Sequence, residues 1–124
     1  MSSVRIQEND FSIDQEYQHL RSRNPSKNGA ICTFVGLVRE FGDKDNVTGL
    51  FLEHYPGMTE KTLETIIERA RQRWQITNAR IVHRVGKLTP GDQIVFVGVN
   101  SAHRGDAFAA CQFIMDLLKT EAPF

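Results

Sequence analysis

The chain has 124 residues, enough for one domain with a real core and too few for two. Lys+Arg 15 balance Asp+Glu 15, so no global charge favours nucleic acid or a membrane surface, and any anion site must be local. The N-terminus M-S-S-V-R-I-Q-E-N-D lacks an apolar signal core, no run approaches membrane-spanning length, and Cys32 and Cys111 sit in apolar segments without metal-type spacing, so a reduced, intracellular protein is expected.

Residues 4–7 read as a short strand. Ser12-Ile13-Asp14-Gln15 has the S-x-x-Q form of a capping box, and Ile13, Tyr17 and Leu20 share one helical face. Residues 21–28 are polar, contain Pro25 and end at Gly29, which predicts a loop. Residues 30–38 are β-branched and aromatic, which predicts a strand apolar on both faces. That strand ends at Arg39, and the E-F-G-D-K-D-N segment after it is turn chemistry, expected to be mobile.

A second strand is predicted over residues 49–55, and Tyr55-Pro56-Gly57-Met58 turns the chain into a helix with Thr59 as its N-cap. Leu63, Ile66, Ile67, Ala70 and Trp74 recur at helical spacing, the stripe of a helix that covers one face of a sheet. Residues 80–85 form the next strand, Thr89-Pro90-Gly91-Asp92 a turn, and residues 93–99 the most buried strand. Strand, helix, strand, strand, helix, strand, strand, helix implies an α/β or α+β two-layer sandwich with a mixed sheet, a single domain over residues 1–124.

The last helix holds the chemistry. Ser101 is placed to cap it, and His103, Arg104 and Gly105 fall in its first turn, where unpaired N–H groups and the helix dipole favour an anion. A cationic pair there suits a phosphate or carboxylate ligand rather than helix stability. Ala107, Phe108, Ala110, Cys111, Ile114, Met115, Leu117 and Leu118 cover one half of the wheel, with Phe113 an apolar exception on the other. Lys119 projects at the edge of the apolar arc, where partial desolvation would fit it for acid, base or nucleophile chemistry. The alternative is a snorkelling lysine near a helix C-terminus, and from this helix alone that reading carries more weight.

Arg39 closes a strand and opens a loop, a position that serves a site and a surface arginine equally well. His103 alone is more often structural than catalytic, and His54 and His83 lie within strands without a partner at useful spacing. Cys111 has no adjacent base, which argues against a thiol nucleophile. There is no Gly-rich phosphate loop, dinucleotide fingerprint or zinc motif, and no metal or cofactor is expected. The residues by themselves therefore reach an α/β domain with a candidate anion pocket of Arg39, His103, Arg104 and Lys119.

Four segments go further. L-E-H-Y-P-G-M-T-E-K at 52–61, G-D-Q-I-V-F-V-G-V-N-S-A-H-R at 91–104, F-I-M-D-L-L-K-T-E-A-P-F at 113–124 and F-V-G-L-V-R at 34–39 closely resemble the large, catalytic subunit of molybdopterin synthase. The resemblance spans nearly the whole chain in order, and its Y-P-G-M and S-A-H-R blocks are specific. It implies an α/β hammerhead-type fold and a cytoplasmic enzyme of molybdenum cofactor biosynthesis. Such an enzyme converts cyclic pyranopterin monophosphate into molybdopterin by installing two dithiolene sulfurs. The sulfur arrives as a thiocarboxylate on the C-terminal Gly-Gly tail of a small ubiquitin-like subunit, and two large subunits form the centre of a heterotetramer.

Carried over by motif, Arg39, His103, Arg104 and Lys119 line the substrate pocket, Leu37 and Val38 form its wall beside Arg39, and Lys119 is the catalytic candidate. Both cysteines can then be core-like, because the partner supplies the sulfur. The pattern departs from the family at one place: family members continue past A-P-F with an aromatic, basic stretch carrying a second pocket lysine, whereas this sequence stops at Phe124. The expectation is thus a domain from which the C-terminal tail is missing. A non-catalytic homologue that only binds the small subunit or the pterin is the alternative; an unrelated acyl-transferring or hydrolytic enzyme using Cys111 and His103 has little support.

Overall fold

The computed structural model describes residues 3–40 and 49–122. Along the chain run β1 (Val4–Gln7), α1 (Ile13–Arg21), β2 (Ala30–Leu37), β3 (Leu50–Leu52), α2 (Met58–Arg73), β4 (Asn78–Arg84), β5 (Gly86–Leu88), β6 (Gln93–Ser101) and α3 (Arg104–Glu121), with one 3-10 turn at Pro25–Lys27. Strands β1, β4, β6 and β2 form a sheet in that order. β1 runs parallel to β4, and β6 is antiparallel to both its neighbours, so the sheet is mixed as expected. β3 and β5 make a separate antiparallel pair.

β6 is central, and its apolar run is explained by burial on both faces. Val95, Val97 and Val99 join Leu63, Ile66, Ala110 and Ile114 beneath α2 and α3, while Phe96 joins Phe11, Leu20 and Val82 on the opposite face. The α/β class stands; α1 adds a layer beyond the two expected, because it covers that second face. It approaches closely because Gly98 has no side chain: a Cβ there would lie 2.2 Å from Leu20 Cδ1.

The capping prediction for α1 holds in half, with Ser12 Oγ accepting from the Gln15 N–H at 3.2 Å. Its face does not. Leu20 is buried, but Ile13 and Tyr17 are exposed, and the other buried residue is Glu16. Glu16 is drawn inward by Arg80 on β4 and Arg5 on β1, a long-range pairing that periodicity cannot register.

Other differences follow from turn geometry. Gly57, at φ +86, caps α2 in place of Thr59; the buried Thr59 hydroxyl accepts from the Tyr55 N–H, and Glu60 from the Gly57 N–H. Leu63, Ile66, Ile67 and Ala70 are buried as their spacing predicted. The second predicted strand shrinks to Leu50–Leu52, and Gly86 (φ +86) swings the chain into β5, which is too short to show a period. β2 is the edge of the sheet, so its apolar faces are only partly covered: Phe34 and Leu37 are exposed. Beyond Glu40, the turn segment expected over residues 40–46 lies outside the described residues. Among the described residues no helix is long and apolar enough to cross a membrane.

Candidate active-site groove

α3 leaves the C-terminal end of β6 and packs back against β6 and β2. Ser101 is not its cap. It is the buried last residue of β6, where its hydroxyl donates to Gln75 O (2.6 Å) and accepts from the His103 N–H (3.0 Å). His103 takes the N-cap position, with its carbonyl accepting from Ala107 N–H. The start of β2 comes close here: Gly29 N–H donates to Ser101 O, and a Cβ on Gly29 would sit 2.4 Å from Ala102 O. The close approach of two backbones thus sets where α3 begins. His103, Arg104 and Gly105 are all exposed.

The side of α3 that faces β2 forms one wall of a groove of about 370 Å³. Cys32, Thr33 and Phe34 of β2 line it opposite Phe108, Cys111, Gln112, Met115, Asp116 and Lys119 of α3. Lys119 therefore stands where the apolar edge of the wheel predicted, beside Met115, and it is exposed. Cys111 is buried, and its thiol is pushed up to about 12, first by that burial and then by the neighbouring Cys32. A resting thiolate is thereby disfavoured at neutral pH. Phe113, the exception on the wheel, turns toward α2 instead; its ring meets Trp74 edge-on at 5.2 Å and lies under Arg73.

Arg39 lies just past the far end of β2. The register pairs Ala30 with Ser101 and Leu37 with Gln93, with an irregularity between Gly36 and Leu37. Beyond it Val38 is buried and clamped, its N–H donating to Asp92 O (2.8 Å) and its carbonyl accepting from Gly91 N–H (2.7 Å). Leu37 and Arg39 on either side are exposed. Among the described residues none of Arg39, His103, Arg104 and Lys119 is held in an ion pair. Four uncompensated cationic or titratable side chains are available to an anionic ligand.

They do not gather in one chain. β2 and α3 run in the same direction, so His103 and Arg104 lie where β2 begins, whereas Lys119 is near the far end of α3 and Arg39 lies past the far end of β2. From Arg104 to Lys119 the helix alone spans roughly 22 Å at 1.5 Å per residue. Leu37 and Val38 do not line the groove around Lys119; Cys32, Thr33 and Phe34 do, a choice made by the pairing of β2 with α3. A periodic reading of α3 marked Phe108, Cys111 and Met115 as apolar but carried no signal of what would face them. Among the described residues no cluster of His, Cys, Asp or Glu is suited to a metal.

A family model described as "MoaE protein" matches residues 6–121 of this chain. The molybdopterin synthase catalytic subunit of Vibrio cholerae serotype O1 is 57% identical over 121 residues, covering 98% of this chain and 79% of that protein. Among solved structures, the molybdopterin biosynthesis MoaE protein from Burkholderia ambifaria superposes with a TM-score of 0.89 at 56% identity, covering 99% of this chain and 80% of that one. The molybdopterin synthase structure from Staphylococcus aureus gives 0.87 at 31% identity, covering 99% and 88%.

Proposed function

This chain belongs to the MoaE protein family, and from that premise we propose how its groove carries out molybdopterin synthesis. The chain acts as the catalytic subunit of molybdopterin synthase, an enzyme of molybdenum cofactor biosynthesis that converts cyclic pyranopterin monophosphate to molybdopterin. In this reading a small ubiquitin-like subunit delivers sulfur as a thiocarboxylate, and the work is done in the cytoplasm. The observation that carries the reading is the placement of Lys119 on a partly apolar groove between an edge strand and a helix. An extended glycine tail, lacking side chains, fits such a groove, and its walls exclude water from the thiocarboxylate.

Lys119 then shuttles protons at the reacting centre or engages the carbonyl carbon, while the guanidinium groups of Arg39 and Arg104 hold the phosphate and stabilise developing negative charge on oxygen and sulfur. His103 serves as a donor to the same anion, and Leu37 and Val38 set the position of Arg39 at the strand end. Since one chain separates Arg39 and Lys119 from His103 and Arg104, the complete pocket is assembled from two copies, each supplying one pair. This agrees with a homodimer at the centre of a heterotetramer.

The test is incubation of the protein with thiocarboxylated small subunit and pterin precursor, followed by detection of the dithiolene product. Product formation supports the reading. Binding of the small subunit and precursor without product would instead make the chain a non-catalytic binding module.

A further inference from the structure

Cys32 on β2 and Cys111 on α3 both line the groove that carries Lys119. Both are free, and Cys32 packs against the core cluster that contains Cys111. Cys111 is buried and its Sγ also approaches Val97 O at 4.0 Å, whereas Cys32 is only half-buried on the edge strand. A thiol pair is not needed for sulfur transfer from a partner's thiocarboxylate, and apolar packing alone would be met by residues that do not oxidise. Two thiols on one groove, one reachable from solvent and one behind it, are instead the arrangement of an attacking and a resolving cysteine.

We propose that Cys32 and Cys111 form an oxidisable dithiol, which a hydroperoxide converts to an intramolecular disulfide that narrows the groove and shuts off Lys119 until a thiol reductant reopens it. The gating part rests on the groove being the active site. Cys32, as thiolate, attacks one peroxide oxygen; the O–O bond breaks, water leaves after protonation, and Cys32 becomes a sulfenic acid. The Cys111 sulfur then attacks the Cys32 sulfur. The S–S bond forms, the S–O bond breaks, and the Cys111 proton departs with the hydroxyl as a second water. Two thiols are oxidised and one hydrogen peroxide is reduced. Burial sets the order: Cys32 is the point of entry, and Cys111, giving up its proton to the departing hydroxyl, resolves. An S–S bond of about 2.05 Å is much shorter than any non-bonded approach of two sulfurs, so β2 and α3 must draw together at mid-groove. Lys119 lies two turns further along that same helix.

The test treats the full chain with hydrogen peroxide and reads three quantities. Thiol titration after denaturation should show loss of both thiols per chain, a non-reducing peptide map should contain a Cys32–Cys111 link, and acylation of Lys119 by an amine-reactive reagent should slow, all reversed by dithiothreitol. Cys32→Ser and Cys111→Ser chains should show no link and no change in Lys119 labelling. In the assembled complex, turnover of the wild type should be lost and restored in step with the link, and that of Cys111→Ser should not respond to peroxide. Oxidation of Cys32 alone to a sulfinic acid, links only between chains, or unaltered thiols would overturn the proposal. So would a disulfide that leaves Lys119 labelling unchanged. A chain with no turnover before oxidation sinks the synthase reading, while the link and labelling still judge the dithiol.

Discussion

His103 and Lys119 stand at opposite ends of α3, separated by roughly 24 Å of helix at 1.5 Å per residue. On the proposed function, a ligand as small as a pterin phosphate reaches both only where two copies share the work. Chains carrying Lys119→Ala should make no product while keeping their fold and their hold on the small subunit. Chains carrying Arg104→Ala should be nearly silent when precursor is well below saturation, because they bind it more weakly, and the assay is run there. Mixed and allowed to exchange, the two should recover about a quarter of wild-type activity, because random pairing leaves one intact site in half of the dimers. Activity assays on the mixture, with circular dichroism on each variant, check this. No recovery despite demonstrated exchange would place the whole site within one chain.

Arg39 and Arg104 are exposed and free of ion pairs among the described residues. Replacing either by Ala should weaken precursor binding by ~1.5–3 kcal/mol, the value of a charge-assisted hydrogen bond. Calorimetric titration of the precursor into each variant measures the loss. Unchanged affinity in both would put the anion pocket elsewhere.

Glu16 is buried between Arg80 and Arg5. Burial pushes its carboxyl up, but the hydrogen bonds from Arg80 and Arg5 outweigh that and hold it below the ordinary 4.5. A depressed folded value means stability that is complete above the ordinary value and is lost as pH falls through the folded one. Glu16→Gln should therefore cost about 3–5 kcal/mol at neutral pH, chiefly by removing the carboxylate from a buried ion pair. The same variant should lose stability less steeply than wild type below pH 4.5. Denaturant melts across the acid range test both parts.

Gly29→Ala places a Cβ 2.4 Å from the Ala102 carbonyl oxygen, backbone that cannot swing aside. Overpacking of this kind costs about 1–3 kcal/mol. Because Ala102 precedes the His103 cap, the strain should also displace the start of α3 and lower precursor affinity. A stability loss with unchanged affinity would show that the cap position is not transmitted to the ligand.

Much of the scaffold was legible along the chain. The strand at Val4–Gln7, the buried stripe of α2 and the two-sided burial of β6 rest on strand-forming composition, a period of 3.6 and an unbroken apolar run, which a single segment carries in full. Boundaries set by glycine were read less well: Gly57 and Gly86 act through a positive φ that composition does not distinguish from an ordinary turn. The apolar wheel of α3 also showed that Lys119 borders the packed face, and the family motifs marked Arg39, His103, Arg104 and Lys119 together.

What the linear order could not hold was distance. Motif resemblance placed four polar residues in one pocket, while the register of β2 on β6 and the direction of α3 divide them between two ends of one chain. Likewise nothing within its own segment pairs Glu16 with a counter-charge until Arg80, far along the chain, is laid beside it by the sheet. Cys32 and Cys111 are two unremarkable core cysteines until a strand and a helix bring them to the same groove. Local pattern records which face of an element is apolar, because that depends on spacing within one segment. Which partner covers the face, and which charge meets which, depends on strand order and register, and these are decided only when the core closes.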